Sequence, residues 1–134
     1  MIRPICYLAA LFVSVGAFAN TAIYTNGFHP VSAISPDIPV IYLDAPDSVQ
    51  REIFGSLPVD PAQAERQVRE LQASSAFKTL EQQLVAAYQG VINAWSLGLI
   101  KYPAVVFGDK WVVYGTTDVG VAAQQLINWQ QESQ

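Results

Sequence analysis

Hydrophobic residues fall along this chain with different spacings, and each spacing predicts a different element. Residues 5–15 are almost wholly apolar, behind the single positive charge of Arg3 and ahead of the small residues Ala17 and Ala19. A charged start, a short apolar run and small residues at the −3 and −1 positions make the pattern of a secretory signal peptide. A membrane-spanning helix needs about 20 apolar residues, and this run is shorter. The expected organisation is a signal over residues 1–19, cleaved after Ala19, and one domain over residues 20–134. An uncleaved anchor or a buried helix is the other reading of the same run. Cys6 stands too early to be a lipidated cysteine.

Beyond the signal, short β-rich runs flank a long stretch of helical periodicity. Residues 21–25 (TAIYT) read as a strand that Asn26-Gly27 ends. Residues 39–43 (PVIYL) read as a second, nearly continuous in apolar residues as a central buried strand is. The intervening segment carries Pro30, Pro36 and Pro39, which leave open whether a helix fits there. Ser48 is placed to cap a short helix with Val49, Ile53 and Phe54 on one side. Asp60, Pro61 and Gln63 then form a helix start: an N-cap, a proline in the first turn and a Gln at N3. Val68, Leu71, Leu80, Leu84, Tyr88, Val91, Trp95 and Leu99 follow at steps that predict one buried face. The pattern weakens at Ala73-Ser74-Ser75, which predicts two helices or a kink, and Gly98 is placed for a C-terminal cap. Residues 102–107 and 111–114 read as a hairpin around Gly108-Asp109-Lys110. Gly115 ends the hairpin, and Thr116, Thr117 or Asp118 caps a last helix. Val119, Ala122, Ala123, Leu126 and Ile127 form its inner stripe, with Gln124, Gln125, Gln130 and Gln131 facing water.

Composition narrows the function. Hydrophobic residues make up 51% and charged residues 13% of the 134 positions, against a usual charged share of about 25%. That excludes a disordered chain. The net charge of −4 excludes a basic stripe for nucleic acid. The single cysteine, Cys6, lies in the predicted signal, so residues 20–134 hold no disulfide and no thiol chemistry.

No catalytic set is legible. His29 is the only histidine. It lacks a second ligand for zinc or a triad partner at a recognisable spacing, so a turn-capping role is expected. Asp44, Asp47, Asp109 and Asp118 all sit where turns and caps use carboxylates. Gly27, Gly90, Gly98, Gly108, Gly115 and Gly120 form no phosphate-binding pattern. The expectation is therefore no catalytic residue, no metal and no cofactor. Trp95 is expected in the core. Trp111 and Tyr114 are three apart on one strand and so face opposite ways, which predicts that one of them lies away from the main core. Trp111, Tyr114 and Trp129 are the candidate exposed aromatics for a protein interface.

The element order resembles the thioredoxin-like fold: an α/β domain with about four strands in a mixed sheet and helices on both faces. Lys101-Tyr102-Pro103-Ala104-Val105-Val106-Phe107 is similar to the segment around the cis-proline of thioredoxins. Gly27-Phe28-His29-Pro30 lies where that fold carries Cys-x-x-Cys. The run from Tyr88 to Phe107, with Val112-Val-Tyr-Gly115-Thr-Thr-Asp118-Val119, resembles a family of small exported proteins encoded on integrating conjugative elements. Leu57-Pro-x-Asp60-Pro and Tyr42-Leu-Asp44 add to that likeness. In layout the family is similar to the TrbC-type periplasmic pilus-assembly proteins.

The resemblance implies a periplasmic, non-enzymatic component or assembly factor of a conjugative transfer (type IV secretion) apparatus. Its partners would be other proteins of that apparatus, with no nucleic acid and, once the signal is removed, no membrane. The candidate partner-binding edge is Gly27, Phe28, His29, Pro30, Tyr102 and Pro103, where an extended peptide could add by backbone hydrogen bonds. The alternative is a periplasmic thioredoxin-fold peptide-binding or redox-related accessory protein that has lost its Cys-x-x-Cys. A small hydrolase or ligand-binding domain with a polar pocket at His29 is a third reading.

Overall fold

A computed structural model describes residues 20–134; the predicted signal over residues 1–19 lies outside them. The chain forms β1 (Thr21–Thr25), β2 (Val40–Tyr42), α1 (Ala45–Phe54), α2 (Pro61–Ala73), α3 (Ser75–Ser96), β3 (Ala104–Phe107), β4 (Trp111–Tyr114) and α4 (Val119–Glu132). This is an α/β domain with a four-stranded mixed sheet of order β2-β1-β3-β4. β1 runs parallel to β2, with Ile23 opposite Val40. β3 runs antiparallel to both β1 and β4, with Ile23 opposite Val105 and Val105 opposite Val113. Residues 26–39 cross between the two parallel strands as turns and bends, without a helix. Their prolines remove the N–H groups and the freedom that a helix interior needs. Among the described residues, no helix is long and apolar enough to cross a membrane.

Strand order corrects one expectation. The second strand is an edge strand and only half-buried, whereas β3 is buried at all four positions. Continuous apolarity in residues 39–43 reflects packing on both faces: Val40 joins Val31 and Ile38 on one core cluster, and Ile41 and Leu43 join the other. Centrality belongs to β1 and β3.

The period-2 alternation of the strands divides the interior into two clusters. Ile23, Val105 and Phe107 point to one face and meet Ala122 and Leu126 of α4. Tyr24, Ala104 and Val106 point to the other and meet Ala94 of α3. Phe107 and Val105 are among the largest fully buried side chains, each worth about 1.5–3 kcal/mol of transfer free energy. The inner stripe of α4 is narrower than expected. Ala122 and Leu126 are buried, Ile127 is exposed, and Gln130 is half-buried rather than in water.

Helix ends follow the local chemistry. The Asp60 carboxylate accepts from the Gln63 N–H at 3.1 Å and starts α2. Ser74 separates α2 from α3, and its Oγ accepts from the Phe77 N–H at 3.3 Å. Helix α3 ends in a Schellman motif at Gly98, φ 69°. The Gly98 N–H donates to the Trp95 carbonyl and the Leu99 N–H to the Ala94 carbonyl, at 3.0 and 3.1 Å. Helix α1 departs from expectation. It begins at Ala45, with Pro46 in its first turn, and no side chain caps it. Ser48 lies inside it, its hydroxyl donating to the Asp44 carbonyl at 3.2 Å. Of the expected α1 face, Ile53 is buried and Phe54 is exposed.

The long helix α3 brings the largest correction. Trp95 is 84% exposed, and Tyr88 is exposed as well. The side that meets the sheet carries small residues instead, with Gly90 and Ala94 buried. A Cβ placed on Gly90 would lie 2.6 Å from Ile41 Cγ2, so backbone and strand are in direct contact there. Close approach at small residues leaves the bulkier apolar positions of the same helix outside. Leu80, Leu84 and Val91 are half-buried along the neighbouring arc of α3, as Val68 and Leu71 are on α2.

Candidate functional site

The antiparallel register places Tyr24 opposite Ala104, so the end of β1 and the start of β3 share one end of the sheet. The segments Gly27–Pro30 and Tyr102–Pro103, about seventy residues apart in the chain, meet there. The His29 and Tyr102 rings stand edge to face with centroids 6.4 Å apart. The Tyr102–Pro103 peptide is cis.

The loop after β1 is held by its own polar groups. Thr25 and Asn26 are buried. The Thr25 hydroxyl donates to the His29 carbonyl at 2.6 Å. The His29 N–H donates to the Asn26 carbonyl at 3.1 Å, and His29 Nδ1 lies 2.8 Å from Asn26 Oδ1. The Gly27 N–H donates to Asp44 Oδ2 at 2.9 Å, which ties the loop to the start of α1. His29 thus works as a turn-building residue. Asp44 serves the loop instead of capping its own helix.

With its backbone fixed in this way, the loop presents Phe28 to solvent at 88% exposure, next to exposed Pro30. Tyr102 is 53% exposed. Pro103, the sixth residue of the predicted edge, is buried beneath them because it leads directly into the central strand β3. The edge is therefore an aromatic and proline surface on a hydrogen-bonded loop, a shape suited to contact.

The other carboxylates have structural work. The Asp118 carboxylate accepts from the Val121 N–H at 3.0 Å and caps α4. Asp109 occupies a left-handed turn position, φ 54°, beside Gly108 at φ 59°. Asp47 lies in the first turn of α1, where a carboxylate favours the helix dipole. Among the described residues, no group of three or more His, Cys, Asp and Glu side chains is placed to hold a metal. Burial pushes the Tyr24 phenol above its ordinary value of 10.0, and the negative charge of Asp109 adds to the shift.

The candidate aromatics of the hairpin divide between the two faces, as their spacing requires, but neither lies off the core. Trp111 packs on the α4 cluster and Tyr114 on the α3 cluster, because both faces of the sheet are covered. The Tyr114 hydroxyl accepts from the Ile100 N–H at 3.3 Å. Trp129 is half-exposed and tilts against Trp111, with ring centroids 5.6 Å apart. Lys110 Nζ stands 4.8 Å over the Trp111 ring. Between β4 and α4 this pair bounds an open groove of about 360 Å³, which Val113 and Leu126 also line.

Sequence reasoning missed Thr25, Asn26 and Asp44 as organisers of the loop, and Trp95 as a surface residue. Thr25 and Asp44 act through hydrogen bonds to backbone and Asn26 through one to the His29 ring, and none of these leaves a periodic signal. Trp95 had one: a stripe of Gly90 and Ala94 runs beside the large apolar stripe, and only one of the two could face the sheet.

Residues 18–132 match the model of a family described as protein of unknown function (DUF1525), and the chain belongs to that family. No curated protein and no solved structure matches the chain.

Proposed function

We propose that this DUF1525-family protein is an exported, non-enzymatic contact component or assembly factor of a conjugative transfer apparatus of the type IV secretion class. The observation that carries the reading is the edge formed by Phe28, His29, Pro30 and Tyr102. Two distant segments converge on it, and aromatic rings stand in solvent on a hydrogen-bonded loop. Rigid aromatic surface is what protein interfaces use as anchors. The likeness of residues 88–107 and 112–119 to exported proteins of integrating conjugative elements supplies the setting. The signal-like residues 1–19 supply the periplasmic address.

The strand order and directions support the thioredoxin-like reading of the sheet. In that reading, residues 27–30 occupy the place of a redox motif without its cysteines, and the edge is left for binding. A peptide-binding accessory protein outside conjugation is the second reading, and the same edge favours it.

Capture from mating cells separates the two. The full-length protein with an affinity tag is expressed in donor cells and cross-linked during mating. Recovery of transfer-apparatus proteins, lost in a Phe28→Ala/Tyr102→Ala variant, supports the proposal. Recovery of the same proteins by the variant removes the edge from it. Unchanged transfer frequency after deletion of the gene refutes the transfer role itself.

A further inference from the structure

We propose that α3 is a homodimer interface, in which a second copy of the chain covers the face formed by Val85, Tyr88, Ile92 and Trp95. These four residues step by three, four and three, the spacing of a helix–helix seam. All four are exposed, from Tyr88 at 45% to Trp95 at 84%. At about 150–250 Å² for a large side chain, they leave on the order of 500 Å² of surface uncovered. That is near the upper end of the single apolar patch a monomer carries, about 300–600 Å². Two such faces bury about 1,000 Å² between them, the lower limit for a biological interface and in keeping with a dimer at tens of micromolar. The exposed flanking residues Gln89, Asn93 and Ser96 would add polar rim.

The charge pattern selects the occupant. Residues 82–100 contain no charged side chain. The chain as a whole is negative, at −4, so any two copies repel through most of their surface. The α3 face is where like meets like without opposing charges. A basic partner would find no acidic residue along the seam from Val85 to Trp95. An acidic membrane surface would find no cation there, since the one basic residue of α3, Lys78, lies in its first turn.

Shape agrees with self-pairing. In an antiparallel crossing centred on residue 90, Trp95 of one copy falls opposite the partner's Val85, and Tyr88 opposite the partner's Ile92. Large meets small at each position, and the two-fold axis repeats each pair. The Tyr88 hydroxyl accepts from Gln50 Nε2 at 2.6 Å, which holds that ring against α1 before any partner arrives. The inference is independent of the Phe28–Tyr102 edge and of conjugation.

The test is sedimentation equilibrium of the protein purified after expression of the full-length chain, as wild type, Ile92→Glu and Trp95→Glu. The expected result is a dimer at tens of micromolar for the wild type. Each variant should weaken association at least tenfold while its urea midpoint, read at sub-micromolar concentration where the wild type is also monomeric, stays unchanged. Raising salt from 0.05 to 0.5 M should leave the dimer unchanged or strengthen it, because screening reduces repulsion between like-charged copies. A second arm does not depend on a buried-charge variant. In a Cys6→Ser background, Gln89→Cys should form a covalent dimer on mild oxidation, and Arg66→Cys on α2 should not. A wild type that is monomeric at 200 μM overturns the proposal. So do variants that remain dimeric, a dimer that salt dissociates, equal cross-linking at both cysteines, or binding of a monomer to anionic phospholipid vesicles.

Discussion

The contact between Gly90 and Ile41 decides which face of α3 lies inside, and it can be measured. A Cβ on Gly90 would stand 2.6 Å from Ile41 Cγ2, far inside the roughly 3.5–4.0 Å at which carbon atoms rest. The Ile41 methyl cannot swing away cheaply, because a β-branched side chain is stiff at χ1. Gly90→Ala therefore forces α3 off β2 or Ile41 off its rotamer, an overpacking cost of about 1–3 kcal/mol. The same change gains about 0.8–1.0 kcal/mol of helix propensity. The single variant is thus expected between neutral and about 2 kcal/mol destabilised, a range too wide to be diagnostic.

The double-mutant cycle with Ile41→Ala is diagnostic, because propensity cancels and the contact does not. Removing Cγ2 should let Gly90→Ala recover its helix gain, for a coupling of about 1–2 kcal/mol in favour of the double variant. Ala86→Gly, at an exposed position of the same helix, measures the propensity step and should cost about 1 kcal/mol. The assay is urea unfolding followed by circular dichroism. Protein concentration is held constant, since dimerisation would shift the midpoint by mass action. Additivity within about 0.5 kcal/mol, or stabilisation by Gly90→Ala equal to the full propensity gain, would refute the close approach.

Three further outcomes follow from the same structure. Phe107→Ala should cost about 3–5 kcal/mol in urea unfolding, whereas Trp95→Ala should stay within about 0.5 kcal/mol at sub-micromolar concentration, where the chain is monomeric and the ring is mostly in solvent. Asp118→Ala removes the acceptor for the Val121 N–H and should cost about 1 kcal/mol, read as a lower thermal midpoint. Tyr24→Phe should flatten the alkaline loss of stability. Below pH 10.0, the ordinary phenol value, Tyr24 is neutral in both folded and unfolded chains and its contribution is complete. Above it the unfolded chain ionises first, so stability falls until the folded phenol also ionises; a variant with the same alkaline slope as wild type would contradict this.

Legibility in the sequence tracked the range of each interaction. Strand β1, the caps at Asp60 and Asp118, the break at Ser74 and the turn at Gly98 are local, so their residues announce them. The hairpin is local too, through Gly108 and Asp109 at positive φ. The rank of β2 at the sheet edge was not legible, because an edge strand packed on both core clusters is as apolar as a central one. The loop after β1 was half legible. Phe28, His29 and Pro30 stand out by type, but the groups that fix them, Thr25, Asn26 and Asp44, act through single hydrogen bonds across as many as seventeen positions.

Helix α3 shows why periodicity alone misassigned Trp95. Its apolar residues cover more than half of the helical circumference, and a centre drawn through the largest of them points at solvent. The sheet instead takes the side where Gly90 and Ala94 allow the backbone closest, with Gly90 directly against Ile41. The large residues are then surplus to the fold. A monomer gains nothing from the parts of Tyr88, Ile92 and Trp95 that stay in water, because exposed apolar area contributes no burial. Their contribution requires a surface that arrives from outside, so the energetics of the fold and the case for a partner on α3 rest on the same glycine.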